Sequence, residues 1–294
     1  VALRSAQDLP EALTFARERE LPVLVIGGGS NMLISDGGFP GLVIHMAMKG
    51  ITLREQPDDQ VTLTAQAGEV WDDVVAESVR LGLWGIENLS RIPGTAGSVA
   101  VQNVGAYGQE AKDVVSAVDV YDQETGHFRT LTHEECQFGY RTSIFNTTSR
   151  GRYIILATHF RLSRTARRVL GYPDLEKYFA GHPSEPTQEE IRIAIRTIRD
   201  RKFPFPAEAV EGNAGSFFKN SLLTTEEFER VREHFATHLP QAYLERLERF
   251  ASMTDSAGRL KLPSAFVLEA CGLKGFRMAD AMLNPGQPIV VLNA

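Results

Sequence analysis

The residues whose types and spacing could do chemistry fall into separate stretches. Gly27-Gly28-Gly29-Ser30-Asn31 follows an apolar run. Consecutive glycines open backbone conformations closed to other residues, and their N–H groups can converge on a phosphate. The pattern is not the Gly-x-Gly-x-x-Gly dinucleotide fingerprint, and from these residues alone a tight turn is an equal reading. Ile92-Pro93-Gly94-Thr95-Ala96-Gly97-Ser98-Val99 leads into Gln102-Asn103-Val104-Gly105-Ala106-Tyr107-Gly108. Such a run of small residues suits backbone lying against a flat ligand, with Ser98, Gln102 and Asn103 supplying directed hydrogen bonds. A structural loop is the alternative. A surface linker is disfavoured, because Ile92, Val99, Val101 and Val104 are apolar.

Two further stretches carry single reactive groups. In Gly139-Tyr140-Arg141-Thr142-Ser143, Arg141 could stabilise a developing oxyanion through fixed charge and forked donors, or simply make a surface ion pair. In Gly212-Asn213-Ala214-Gly215-Ser216-Phe217-Phe218-Lys219-Asn220, the Ser216 hydroxyl could protonate a strongly basic carbanion, whose basicity supplies the driving force. The plainer reading is a Gly-Ser turn before a Phe217–Phe218 strand. The seven histidines and two cysteines show no His-Glu-x-x-His or Cys-x-x-Cys spacing, so no metal site is expected. Cys136 and Cys271 are expected to be buried structural thiols.

The elements that position these groups follow from periodicity and punctuation. A helix over residues 8–20, with Leu9, Ala12, Leu13 and Ala16 on one stripe, precedes a strand at 22–26 and another at Leu42–Met46. Val61, Leu63, Ala65 and Ala67 alternate as in a half-buried strand. A helix at 71–81 is followed by a long glycine-rich loop over 85–108. Strands at 114–121 and 153–162 flank a turn at Glu124-Thr125-Gly126. Residues 181–186 read as a linker. Thr187 then caps a helix with Glu190, and Ile191, Ile195 and Ile198 mark its buried face. Pro204 and Pro206 end that helix and mark a domain boundary. Thr224 and Glu227 cap another helix, residues 266–271 form a short one closed by Gly272, and 289–292 is a strand.

Composition narrows the class. At 294 residues the chain holds two or three domains. A net charge of −6 creates no basic field for nucleic acid or anionic membrane. No apolar run approaches the roughly 20 residues of a membrane span. With no signal peptide and only two cysteines, a reducing cytoplasm is expected. The chain opens on Val1 rather than Met, and its final strand has nothing after it, so both ends are expected to be cut.

The two glycine-rich segments resemble the FAD-binding domain of the vanillyl-alcohol-oxidase type, which clamps a pyrophosphate between two such loops. The wording of residues 92–108 resembles the UDP-N-acetylenolpyruvoylglucosamine reductases in particular, and the resemblance extends over residues 22–293 in the same order. It implies an α+β fold of the PCMH/vanillyl-alcohol-oxidase type with a C-terminal α+β substrate domain. Residues 1–50 would form a small α/β subdomain lacking its first strand, 51–205 an α+β subdomain holding FAD with it, and 206–294 an incomplete substrate domain. FAD would contact Gly27, Gly28, Gly29, Ser30, Asn31, Ile92, Pro93, Gly94, Gly97, Ser98, Gln102, Asn103, Gly105, Ala106 and Tyr107.

For the reaction, the resemblance implies reduction of UDP-N-acetylglucosamine enolpyruvate to UDP-N-acetylmuramate. NADPH is the co-substrate, Arg141 faces the enolate and Ser216 is the proton donor. Tyr140, Tyr172, Lys202, Asn220, Lys274 and Gln287 would hold substrate. The spacing from Lys202 to Ser216 is slightly longer here than in the family. The family's third catalytic residue, a glutamate, falls beyond Ala294, and Glu269 does not match its position. The chain is expected to act as a monomer. A flavin oxidase of the same fold, or a flavin-binding but catalytically impaired fragment, would share these loops. The Tyr140–Arg141 and 212–220 segments speak against the oxidase. Neither glycine-rich loop contains a histidine or cysteine to form a covalent flavin link. The purified protein is therefore expected to be yellow and to release its FAD on acid precipitation; flavin retained in the pellet would contradict this.

Overall fold

The structure is a computed structural model describing residues 1–202, 212–255 and 257–293. It divides into two compact units, Val1–Arg199 and Asp200–Ala294. Pro204 and Pro206, expected at a boundary, lie outside the described residues.

The first unit opens with a parallel three-stranded sheet. Ala2–Leu3, a strand the sequence reading does not contain, pairs with Leu42–Met46, which pairs with Val23–Ile26. The helix Leu9–Glu18 buries Leu9 and Ala16. The next sheet is antiparallel, in the order Ile51–Glu55, Gln60–Gln66, Tyr153–Ser163, Val115–Asp122, His127–Thr132. The break between the two sheets falls between Met46 and Ile51. Val61, Leu63 and Ala65 face the core in strict alternation, as the period-two pattern requires. The two edge strands, which the sequence reading does not contain, expose most of their side chains. Above the sheet, the helix Trp71–Arg80 buries Trp71, whose ring packs 5.3 Å from that of Phe160.

The stretch expected as a loop over 85–108 is more ordered than that. It contains a 3₁₀ turn at Glu87–Leu89, a helix at Ala96–Val101 and a short hairpin of Gly105–Ala106 with Gln109–Glu110. Glycine and β-branched valine are poor helix formers, so the helix owes its existence to its surroundings. Thr95 and Ser98 close a capping box at its start. Gly97 is so close to the sheet that a Cβ would lie 2.8 Å from the Ala67 Cβ.

A second apolar cluster joins Trp84, Tyr107 and Leu175 to Ile191, Ile195 and Ile198 of the helix Gln188–Lys202. The Thr187–Glu190 cap forms as expected, with Thr187 N donating to Glu190 Oε2 at 2.7 Å and Glu190 N to Thr187 Oγ1 at 3.2 Å.

The second unit holds an antiparallel sheet ordered Gly212–Ser216, Val290–Asn293, Ala281–Leu283, Arg277–Met278. The helices Thr225–His238, Gln241–Glu248 and Ser264–Ala270 accompany it. Its core gathers Phe228, Phe235, Leu247, Leu260, Leu262 and Phe266. Two expectations are corrected here. The strand lies at Gly212–Ser216 rather than at Phe217–Phe218, both of whose rings are exposed. Cys271 is exposed, because it follows the helix Ser264–Ala270 just before Gly272 turns the chain at φ +70°. Cys136 is buried as expected, and burial pushes its thiol up to about 12. Among the described residues no helix is long and apolar enough to cross a membrane.

One buried charge makes this fold acid-sensitive. The Asp122 carboxylate at the end of Val115–Asp122 accepts from Arg152 Nε at 3.1 Å and Nη2 at 2.7 Å. This pairing holds its carboxyl down at about 2, against 3.8 ordinarily. A depressed folded-state value stabilises above 3.8, and that contribution is lost as pH falls towards 2. Asp122→Asn is expected to be less stable at neutral pH and to lose less than the parent between these two values. Urea midpoints measured across the range check it; parallel losses in both proteins would exclude Asp122 as the titrating group.

Candidate functional site

The two glycine-rich segments meet. A Cβ on Gly27 would lie 2.5 Å from Thr95 Oγ1, and one on Gly28 would lie 3.8 Å from the Gly94 Cα. At Gly27 a side chain would collide with the Thr95 hydroxyl, so the close approach there requires glycine. Asn31 Nδ2 donates to Gln102 Oε1 at 3.0 Å and ties the far ends together. Gly29 adopts φ +69°, and no atom lies within 4 Å of where its Cβ would be, so its backbone faces open space. Gly94, at φ +126°, lies near the hydroxyls of Ser98 and Ser30. These features make a cradle of open backbone that fits a dinucleotide pyrophosphate, whose oxygens accept from N–H groups.

The second segment is fastened from beneath. Trp71 N donates to Gly94 O at 3.0 Å, Ala96 N to Glu69 O at 2.9 Å and Gly97 N to Ala67 O at 3.1 Å. The buried Thr158 hydroxyl donates to Ala96 O at 3.1 Å. Ile92 packs against the main core, Pro93 is exposed and Ala106 is half-buried between the two clusters.

Some side chains expected to reach a ligand are engaged inside the protein instead. The Ser98 hydroxyl donates to Thr95 O at 2.7 Å and accepts from Thr95 N at 3.0 Å, because it closes the capping box. Asn103 is fully buried at φ +43°. Its amide donates to Gly139 O at 2.8 Å and Glu110 Oε2 at 3.1 Å and accepts from Lys112 N at 2.9 Å. The Tyr107 ring is buried in the second apolar cluster, and burial pushes its phenol up to about 12.

Arg141 stands beside the same segment. Its backbone sits at φ +57°, a region that costs a non-glycine residue about 1–3 kcal/mol and persists only where the surroundings enforce it. The hairpin hydrogen bonds between Gly139 and Thr142 enforce it, with Asn146 Nδ2 donating to Arg141 O at 3.2 Å. The guanidinium donates from Nη1 to Asn103 O at 3.1 Å and from Nη2 to Gly105 O. Both of these acceptors are neutral carbonyls, and they orient the cation. The Tyr140 ring centroid lies 5.4 Å from its Cζ. Tyr172, 39% exposed, meets Tyr107 edge to face at 5.1 Å.

In the second unit, Gly212–Ser216 carries a register irregularity between Asn213 and Ser216 against Val290–Asn293. Gly215 takes φ +72° there, and Gly215 N donates to Asn213 Oδ1 at 2.9 Å. Such a bulge re-aims a side chain, and Ser216 is exposed. Phe217 N donates to Ile289 O at 2.7 Å, just after Gln287, which is half-buried. Asn220 uses its carbonyl oxygen to accept from Ser264 N at 3.1 Å, capping the helix Ser264–Ala270. Lys274 is exposed, and Lys202 ends the helix Gln188–Lys202 half-buried.

Sequence reasoning overlooked several supporting residues. Asn88 is fully buried and donates to Tyr107 O at 2.8 Å and Val169 O at 2.7 Å. Arg199 donates to Arg91 O at 3.1 Å and hydrogen-bonds the Tyr107 phenol. Arg192 pairs with Asp72 at 2.7 and 2.9 Å. A signal for the arginines did exist: they stand seven residues apart, beside the apolar stripe of Ile191, Ile195 and Ile198, where solvated side chains are out of place.

Comparison with known proteins places this arrangement in context. Residues 1–132 match the family described as FAD binding domain. The UDP-N-acetylenolpyruvoylglucosamine reductase of Chromobacterium violaceum is 39% identical over 293 residues, covering 99% of this chain and 82% of its own. That of Pseudomonas aeruginosa is 40% identical over 293 residues, covering 99% and 81%. Among solved structures, UDP-N-acetylenolpyruvylglucosamine reductase from Thermus caldophilus aligns with a TM-score of 0.62 at 24% identity, over 99% of this chain and 80% of that one, a likeness of fold.

Gly27→Ala is expected to part the two loops, since the new methyl displaces Thr95 and opens its capping box. The dissociation constant for FAD, measured by calorimetry, should rise at least about tenfold, equivalent to about 1.4 kcal/mol. Unchanged affinity would mean that the close approach is irrelevant to the cofactor.

Proposed function

The chain belongs to the UDP-N-acetylenolpyruvoylglucosamine reductases, and on that premise we propose that it reduces UDP-N-acetylglucosamine enolpyruvate to UDP-N-acetylmuramate with NADPH and bound FAD, a step of peptidoglycan precursor synthesis. The observation that carries the mechanistic reading is the anchoring of the Arg141 guanidinium on the carbonyls of Asn103 and Gly105, in the segment that lies against the first glycine-rich loop. A fixed cation at the edge of a flavin site is what an enolpyruvyl substrate needs. Adding hydride to its terminal alkene carbon pushes an electron pair towards the carboxylate.

FAD, when bound, would supply the redox chemistry between NADPH and the enolpyruvyl double bond. The backbone of residues 27–31 and of 92–108 would hold the cofactor. The enclosed Asn103 side chain serves the loop rather than the cofactor. Arg141 stabilises the enolate through charge and forked donors, preorganised so that little reorientation is needed as the charge forms. Ser216 donates its proton to the carbon bearing the carboxylate, which completes the reduction of the double bond. Tyr140, Tyr172, Lys202, Asn220, Lys274 and Gln287 make up the substrate contacts, Tyr172 at the nucleotide end. In this reading residues 1–50 and 51–205 are the two FAD-binding subdomains, 206–294 is the substrate domain, and the chain acts as a monomer in the cytoplasm.

Ser216→Ala is expected to leave flavin reduction by NADPH near its normal rate, because that step creates no carbanion. Reoxidation by the enolpyruvyl substrate should slow by roughly 10²–10⁴-fold, the range for a positioned general acid. Stopped-flow flavin absorbance separates the halves; reoxidation at the parent rate would remove Ser216 from the mechanism. Tyr172→Ala should weaken UDP-sugar binding by roughly 1–3 kcal/mol, the scale of an aromatic stacked on a base, with flavin reduction unaffected. Equal affinity in a calorimetric titration would leave Tyr172 as packing for Tyr107 only.

A further inference from the structure

We propose that Asn103 is the positioning residue for the catalytic cation: it locks the Tyr140–Arg141 turn to the flavin loop and thereby sets where the Arg141 guanidinium stands. The inference rests on the reading of Arg141 given above and extends it to a residue that touches neither reacting atom.

Asn103 joins three pieces of chain at one fully buried point. One amide hydrogen goes across to Gly139 O at 2.8 Å, fastening the start of the hairpin that carries Arg141. The same nitrogen donates to Glu110 Oε2 at 3.1 Å, and the amide oxygen accepts from Lys112 N at 2.9 Å, which fastens the far side of the flavin loop. The residue's own carbonyl then accepts from Arg141 Nη1 at 3.1 Å. The turn and the guanidinium are thus gripped by the side chain and the main chain of one residue.

The position tolerates few alternatives. At φ +43° asparagine, aspartate and glycine are the residues that adopt the backbone readily. Aspartate could still accept from Lys112 N, but it could not donate to Gly139 O and would face the Glu110 carboxylate. Glycine would keep the backbone and delete the clamp. Gly105 supplies the matching space, because a Cβ there would lie 2.8 Å from Arg141 Nη1. An enclosed amide with both its donor and its acceptor used is costly to disturb, so the clamp is rigid.

The test compares Asn103→Gly, Asn103→Asp and Arg141→Lys in the FAD-loaded protein. Flavin reduction by NADPH should slow less than reoxidation in the Asn103 variants, because the deleted clamp also fastens the glycine-rich loop. Reoxidation by the enolpyruvyl substrate should fall by about 10–100-fold, the scale of a misplaced catalytic group, with kcat affected more than KM. The Arg141→Lys loss should not add to that of Asn103→Gly, since both remove one oriented guanidinium. A readout independent of turnover is the Arg141 Nη resonance. Identified by its disappearance in Arg141→Lys, it should exchange slowly in the parent and rapidly in Asn103→Gly. If Arg141→Lys reoxidises at the parent rate, the reading of Arg141 itself fails. If Arg141→Lys is slow while both Asn103 variants reoxidise normally, or if losses add and the Nη resonance is unmoved, the positioning role alone is overturned. Equal slowing of both half-reactions in the Asn103 variants would reduce Asn103 to a general fold residue.

Discussion

Gly97 touches the central sheet at a point where a methyl group has no room. That contact sets the height of the helix Ala96–Val101 above Ala67, and the two glycine-rich segments are referred to it. It seats Thr95 against Gly27 and presents Gly94 to Trp71 below and to Gly28 alongside. Further along, it fixes the start of the segment whose carbonyls at Asn103 and Gly105 hold Arg141. The cofactor loops are therefore an extension of core packing, which transmits strain and yields little. The conformation of a glycine-rich segment is weakly determined by its own sequence, and here the sheet beneath supplies the determination.

The residues made much of this legible. The stripes of Leu9 and Ala16 and of Ile191, Ile195 and Ile198 specified their helices. The alternation through Val61, Leu63 and Ala65 specified a strand, and the Thr187–Glu190 and Thr224–Glu227 spacings located helix starts that form as capping boxes. These signals are local, and the tertiary structure agrees with them. The two glycine-rich segments and the arginine between Tyr140 and Thr142 also stood out, because such compositions are poor at forming a core by themselves.

What the residues did not reveal is where polar side chains spend their hydrogen bonds. Ser98 and Asn103 have the groups to meet a ligand and use them within the protein, to cap a helix and to clamp a turn, while Asn220 gives its carbonyl oxygen to cap another helix. Chemistry alone does not distinguish the two uses, since an amide satisfied by backbone and an amide satisfied by a nucleotide are the same residue in the sequence. The short helix Ala96–Val101 was equally hidden, its propensity being overridden by a capping box and a tertiary contact. The edge strands Ile51–Glu55 and His127–Thr132 expose most of their side chains, and two apolar residues in each are too few to mark a strand.

The two tryptophans of the chain, Trp71 and Trp84, are both buried in the unit Val1–Arg199. Trp71 lies under the second glycine-rich segment, with its backbone bonded to Gly94 and its indole to Leu89 O. Trp84 belongs to the cluster that receives Tyr107. Indole emission is consequently a private signal of the first unit. An unfolding curve followed by tryptophan fluorescence describes that unit alone and is silent about Asp200–Ala294, whereas far-ultraviolet dichroism sums both. Any gap between the two curves measures how far the halves of this chain unfold independently.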